Sequence, residues 1–108
     1  MTEIDLSKKN FQVKHKGKDY NFEAKELTGY ENDQILQKAS KIEVIDGKAK
    51  VSVDNPELKK QIFLHSIEKV WVNNVEYKPE EVFDKLAKNV YEEVHKVIEK
   101  LNSSEENF

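Results

Sequence analysis

The sequence predicts a small α+β domain that is predominantly helical, with three to four helices, an N-terminal β-hairpin and a short second hairpin. Three observations carry this prediction. Aromatic and β-branched residues alternate with polar ones on both sides of Gly17, as in a hairpin. The pair Asn73 and Asn74 separates two further β-branched runs. Apolar residues then recur at helical spacing from Val82 to Leu101.

The length of the chain limits it to one domain with one modest core. It has 108 residues, of which 37% are hydrophobic and 36% are charged, and a domain typically takes about 150 residues. Because both ends are polar, we expect a flexible N-terminus over residues 1–9 and a disordered tail over residues 103–108. The single α+β domain then spans residues 10–102.

Charge and cysteine content exclude several classes of protein. All 18 basic residues are lysine, and 21 acidic residues give a net charge of −3. Without cysteine there is no disulfide framework, thiolate metal site or cysteine nucleophile. No apolar run approaches the ~18 residues of a membrane span, and residues 1–10 lack a secretory apolar stretch, so the cytoplasm is the expected location. An acidic chain without arginine is not expected to bind nucleic acid.

The first hairpin is predicted from aromatic alternation. Phe11, Val13 and His15 alternate with polar residues before the glycine, and Tyr20 and Phe22 do so after it. Both strands therefore place their aromatic residues on one face, which suits a half-buried sheet.

The first helix is predicted to run from about Gly29 to Lys41. Thr28 and Glu31 have the spacing of a capping box, in which each side chain bonds the other residue's backbone amide. The apolar residues that follow at helical spacing are Ile35, Leu36, Ala39 and Ile42.

The middle of the chain contains a segment without predicted helix, followed by a second helix. Asp46-Gly47 lies between β-branched residues, which indicates either a short hairpin or a mobile loop. Asn55 is the expected cap of the next helix, and Pro56 occupies its first position. This helix is predicted to run from Pro56 to about Lys69, with an apolar face of Leu58, Ile62, Phe63, Ile67 and Val70.

The second hairpin is predicted over Val70–Tyr77, although a helix continuing through Trp71 is the competing interpretation. Pro79 and the two acidic residues after it begin another helix. Asn89 has the spacing of a further cap, so residues 79–102 form either one long helix or two abutting ones.

No arrangement of residues supports catalysis or metal binding. Glu92 and His95 have the Glu-x-x-His spacing of carboxylate di-metal sites, but those sites use the motif twice. His65 and Ser66 are adjacent and point about 100° apart on a helix, so they form no nucleophile–base pair. We therefore expect no catalytic residue, no cofactor and no metal, and hence no enzyme.

The C-terminal apolar stripe is the predicted protein-binding surface. A stripe this wide is most often part of a core. However, a small domain has little core to cover it, so the stripe also fits a groove for another helix or for the same helix of a second copy. The candidate residues are Val90, Tyr91, Val94, Val97, Ile98 and Leu101.

Three phrases of the chain resemble phage tail assembly chaperones. Those proteins typically have a Lys/Arg-x-Leu-Thr phrase before an acidic helix, and Lys25-Glu26-Leu27-Thr28 matches it here. Their middle helix closes on a turn similar to Val70-Trp71-Val72-Asn73-Asn74. Their last helix resembles the segment from Val90 to Asn102. The similarity covers most of residues 10–102.

The resemblance implies a function without chemistry. Such chaperones bind and solubilise the tape measure protein in the host cytoplasm before the tail tube polymerises, and they are absent from the mature virion. The family often makes a longer form by ribosomal frameshifting, which would add the tail tube protein as a partner. The codons of Glu106-Asn107-Phe108 are compatible with a slippery heptamer, and this remains a hypothesis about the DNA.

Three other functions compete with this one. The first is a homodimeric structural or adaptor protein that uses the C-terminal apolar helix as its interface. The second is an enzyme or metal protein that uses Glu92 and His95. The third is a nucleic-acid binder that uses the lysines between Lys8 and Lys18.

Overall fold

The computed structural model describes residues 6–103. Of these residues, 42% are helical and 38% are in strands, in four helices and six strands that form two sheets. The predicted α+β class is therefore right, but the prediction of a predominantly helical fold is wrong. The segment after the first helix, for which the sequence indicates either a hairpin or a loop, forms two strands, and the C-terminal helical region is interrupted. Most of the predicted tail, residues 104–108, lies outside the described part.

The elements follow one another with short connections. In chain order they are β1 (Lys8–His15), β2 (Lys18–Lys25), α1 (Gly29–Ala39), β3 (Ser40–Ile45), β4 (Lys48–Val53), α2 (Asn55–Ser66), β5 (Ile67–Val72), β6 (Val75–Tyr77), α3 (Pro79–Val82) and α4 (Lys88–Leu101).

The main sheet has four antiparallel strands in the order β1-β2-β5-β6. One row of side chains crosses it, because Phe11 lies opposite Phe22 and Phe22 lies opposite Val70. The rings of Phe11 and Phe22 stack with centroids 5.1 Å apart. Helices α2, α3 and α4 pack on this face. The core formed there comprises Tyr20, Phe22, Ala24, Phe63, Ile67, Val70, Val82, Val90, Val94 and Ile98.

Three hairpins close with two-residue turns in which both central residues have positive φ. The central residues are Lys16-Gly17, Asp46-Gly47 and Asn73-Asn74. Two such residues define the type I′ turn, whose twist matches that of the flanking strands. The hairpins predicted around Gly17 and around Asn73-Asn74 are confirmed. At Asp46-Gly47 the hairpin, rather than the mobile loop, is the structure observed.

The helix ends differ from the predictions in four places. Helix α1 ends at Ala39 rather than at Lys41, because Ser40 begins β3. Asp54, not Asn55, caps α2, because its side chain accepts a hydrogen bond from the amide of Glu57. Helix α2 ends at Ser66 because the next residues join the main sheet as β5. The C-terminal region forms two helices separated by residues 83–87, and Ala87 rather than Asn89 is the N-cap of α4.

Glu31 links β2, α1 and α2. Its carboxylate accepts hydrogen bonds at 2.8 Å from the ammonium of Lys25 and at 3.1 Å from the amide of Thr28. It also lies 3.6 Å from Nδ1 of His65 on α2. The Lys25 ammonium holds the pKa of Glu31 at about 2, well below its ordinary 4.5. Thr28 accepts from the amide of Glu31 at 3.0 Å, so the predicted capping box is confirmed.

Replacing the cap of α1 should destabilise the protein measurably. Thr28→Ala removes the acceptor for the Glu31 amide, and we expect a loss of about 1 kcal/mol in the free energy of unfolding. Urea unfolding followed by far-UV circular dichroism measures it. Thr28→Ser is the matched control, because it keeps the hydroxyl and should lose much less. Equal losses in the two variants would show that the hydroxyl does not matter.

Candidate functional site

The predicted binding stripe on α4 is divided between the core and the surface. Val90, Val94 and Ile98 are at most 2% exposed, because they face β1 and β2 in the main core. Folded as described, these three side chains are not accessible to a partner. The remaining candidates are half-buried at the edges of the same helix, and they are Tyr91, Val97 and Leu101. The end of α4 is also fixed, since the Asn102 side chain accepts a hydrogen bond from the amide of Leu27 at 2.7 Å.

A groove of about 540 Å³ lies between α2 and α4 and contains His95. The His95 ring packs edge-on against Tyr91, with centroids 4.5 Å apart, and its buried Nε2 has no hydrogen-bond partner among residues 6–103. Burial lowers the pKa of His95 below its ordinary 6.5, and Lys59 on α2 lowers it further, while Glu99 opposes the shift. The ring therefore behaves as an apolar packing group near neutral pH.

The other candidate chemical groups do not converge. Within the described part of the chain, no group of three or more histidine, aspartate or glutamate side chains is placed to hold a metal ion. His65 faces Glu31, whereas the adjacent Ser66 is fully buried and donates its hydroxyl hydrogen to the carbonyl of Lys25 at 2.7 Å. These contacts join α2 to its neighbours, which is a structural role.

The β3–β4 hairpin, which we call the arm, is the most exposed element of the described chain. All of its residues from Ser40 to Val53 are exposed except the half-buried Ser52. Ile42 is 77% exposed, and Val44 and Val51 are each 74% exposed. Valine and isoleucine are usually buried, so their exposure here is unusual. A two-stranded ribbon that no other element covers is also only marginally stable on its own.

The arm has one apolar face and one largely polar face. Side chains directly opposite each other across a ladder share a face, and Ile42 lies opposite Val51 while Val44 lies opposite Ala49. Val53 at the end of β4 completes this apolar face. The other face carries Lys41, Glu43, Ile45, Lys48, Lys50 and Ser52.

Short contacts fix the base of the arm to the two helices beside it. The amide of Asp54 donates to the carbonyl of Ala39 at 2.7 Å, and the carboxylate of Asp54 lies 3.3 Å from Lys41. The hydroxyl of Ser40 donates to the carbonyl of Leu36 at 2.6 Å. The Cα radius of gyration, 16.2 Å, exceeds the ~13 Å expected of a compact chain of this length, in keeping with a projecting arm.

The sequence carries a signal for the arm, but that signal does not reveal its exposure. Apolar residues alternate with charged and polar residues on both sides of Asp46-Gly47, which is the pattern of an amphipathic hairpin. The sequence-based prediction allowed a hairpin here, yet it assigned no binding role to Ile42, Val44, Val51 or Val53. Whether these residues are exposed depends on whether another element covers them, and local alternation contains no information about that.

Comparison of the chain with models of protein families, with curated proteins and with solved structures found no match. The resemblance to tail assembly chaperones therefore stays a prediction. Among residues 6–103, none of the helices combines the length and the apolar content required to cross a bilayer.

Shortening a side chain in the buried half of the predicted stripe should lower the free energy of unfolding more than shortening one in the half-buried half. Val94→Ala removes two buried methyl groups, and we expect it to lower the free energy of unfolding by about 2 kcal/mol. Val97→Ala, on the same helix at a half-buried position, is the matched control and should cost less than about 1 kcal/mol. Urea unfolding compares them. A larger loss in the control would contradict the assignment of Val94 to the core.

Stability should fall on mild acidification because of His95. Since its folded-state pKa is lowered, the unfolded state binds a proton below about pH 6.5 while the folded state does not. The contribution of neutral His95 to the free energy of unfolding is therefore complete above about pH 6.5. It declines as the pH falls towards the folded-state pKa of His95. We expect His95→Gln to flatten the unfolding free energy between about pH 7 and about pH 5. His15→Gln, at the β1–β2 turn, is the control and should retain the slope. An unchanged slope in His95→Gln would refute this.

Proposed function

We propose that this protein is a chaperone that binds an apolar segment of another polypeptide on the arm, without making or breaking a bond. The exposed apolar face formed by Ile42, Val44, Val51 and Val53 is the observation that carries the proposal. Contiguous apolar surface that remains uncovered on a folded domain typically marks a protein interaction site.

The energetics of the arm favour reversible binding. Covering one valine or isoleucine side chain fully contributes about 1.5–3 kcal/mol. Partial burial of such side chains, after the cost of association, gives an affinity suited to capture and release rather than to a permanent complex. A chaperone needs this property because its client must leave it during assembly.

The resemblance to phage tail assembly chaperones supplies the client. We infer that the client is the tape measure protein, that the protein acts in the host cytoplasm, and that it is absent from the mature virion. A long client with repeated apolar segments would bind several copies, and multivalency would strengthen weak individual contacts. The homodimeric adaptor using α4 has less support, because Val90, Val94 and Ile98 are buried within the subunit.

Co-expression with the tape measure protein tests the proposal. We expect the unmodified chain to keep the client in the soluble fraction and Val51→Asp to reduce that fraction several-fold, because a carboxylate on the apolar face would be desolvated on binding. Tyr30→Asp is the matched control: it adds the same charge at an equally exposed residue, at the end of α1 opposite to the arm, and should retain activity.

Two further measurements complete this test. Circular dichroism and urea unfolding must show that both variants fold, since Val51 and Tyr30 lie outside the core. Equal solubilisation by Val51→Asp and by the unmodified chain would show that the arm is not the binding surface. Failure of the unmodified chain to solubilise the client would remove the proposed function itself.

A further inference from the structure

We propose that the arm captures its client as an additional antiparallel strand on the free edge of β4, and that it selects an extended segment in which apolar and acidic residues alternate. This inference rests on the proposed function and specifies how the client is recognised. Three observations carry the inference: which residues of the arm direct their backbone amides and carbonyls outward, where the lysines lie, and how small the apolar face is.

The free backbone groups of the arm belong to its apolar residues. In an antiparallel ladder, opposite residues alternate between pairs that bond each other and pairs whose amides and carbonyls point outward. The hydrogen bond from the Asp54 amide to the Ala39 carbonyl fixes this alternation, as does the two-residue turn. The outward groups of β4 are therefore those of Ala49, Val51 and Val53. A strand added there would extend both the ladder and the apolar face.

The two edges of the main sheet are protected by comparison. The hydrogen bond from the Glu26 amide to the Ser7 carbonyl sets the alternation in β1, so its outward backbone groups belong to polar residues such as Gln12 and Lys14. At the other edge, β6 has three residues and is followed by Pro79 within two residues. Polar edge residues, short strands and proline are the usual defences against strand addition. The arm also carries lysine on both strands, but its outward backbone groups belong mainly to apolar residues, and neither strand is short or contains proline.

The charges of the arm favour β4 over β3 and an acidic client. Lys48 and Lys50 project from the polar face of β4, where they would flank alternate residues of an added strand. On β3, by contrast, Glu43 is acidic and Lys41 is already paired with Asp54 at 3.3 Å. Opposite charges on neighbouring strands stabilise their pairing, so glutamate or aspartate between the apolar residues fits this edge.

A second copy of the chain fits the arm less well. Antiparallel pairing of two β4 edges would bring the lysines of both copies onto the same face, where like charges repel. Packing two apolar faces together is also insufficient, because each face offers only Ile42, Val44, Val51 and Val53 as large apolar residues. A stable interface takes roughly 20–30 residues from each partner. An added strand gains main-chain hydrogen bonds as well as apolar contact.

Peptide binding to the full-length protein tests the inference. The probe is a short fluorescent peptide of alternating valine and glutamate, and the comparison peptide has lysine in place of glutamate. We expect anisotropy titrations to show about fivefold tighter binding of the glutamate peptide. Lys48→Glu should reverse this preference. Lys50 is left unchanged because it lies opposite Glu43 within the arm.

Backbone methylation of the probe separates strand addition from simple apolar contact. In the antiparallel register, the valine amides of the peptide bond the arm and its glutamate amides face solvent. Methylating the valine nitrogens should abolish binding, whereas methylating the glutamate nitrogens is the matched control and should preserve it. In hydrogen exchange, the amides of Ala49 and Val51 should gain protection on binding, and those of Lys48 and Lys50, already bonded to β3, should change less.

The outcomes distinguish the two proposals. If both methylated peptides bind equally and the Ala49 and Val51 amides gain no protection, strand addition is wrong, even where Val51→Asp still reduces client solubilisation. If Val51→Asp leaves solubilisation intact, the arm is not the client site and both proposals fail. If light scattering shows a dimer in which these amides are already protected without peptide, a second copy occupies the edge and the inference is overturned.

Discussion

The covering of one face of the four-stranded sheet by α4 is the constraint on which the rest of the structure depends. Phe22 and Val70 form the centre of that face, and Val90, Val94 and Ile98 seal it. A chain of this length encloses one modest core. Once α4 is used in that core, the buried part of its apolar stripe is no longer available as a binding surface, and the proposed binding function is assigned elsewhere.

The arm is the element that this arrangement leaves uncovered. Helix α1 packs on α2 and buries Ile35 and Ala39, which are the last buried positions before the chain turns outward. The bond between Ala39 and Asp54 closes the base of the hairpin, so the two strands leave and return at the same point. Because the arm leaves and rejoins the domain between α1 and α2, it projects without disturbing the main sheet. Exposure of its apolar residues therefore removes nothing from the packing of the core.

The described residues outside the arm, 6–39 and 54–103, form a packed body. A packed body with an uncovered arm fits a protein that binds a partner and then releases it. The body is held by a continuous core and by specific contacts such as those of Glu31 with Lys25 and Thr28. The arm has little packing of its own, and a hairpin of this kind gains stability when another chain covers it. Binding there can therefore change the arm while the body keeps its structure. Such behaviour is suited to a transient partner.

The sequence by itself determined the features that depend on neighbouring residues. The capping pair Thr28 and Glu31, the turn residues Asn73 and Asn74 and the start of a helix at Pro79 were all predicted, because side chains close in sequence set these hydrogen bonds and dihedral angles. The cap at Asp54 was misplaced by one residue, since Asp54 and Asn55 are both good caps and only the position of the Glu57 amide distinguishes them.

Tertiary structure alone decided which apolar residues are covered. Helix α2 ends where pairing of β5 with β2 begins, and the partner strand lies more than forty residues away in the sequence. The α4 stripe and the arm both have apolar patterns, yet one is sealed by the sheet and the other faces solvent. The physical reason is that burial depends on what a distant segment places against a surface, whereas periodicity records only that a surface is apolar.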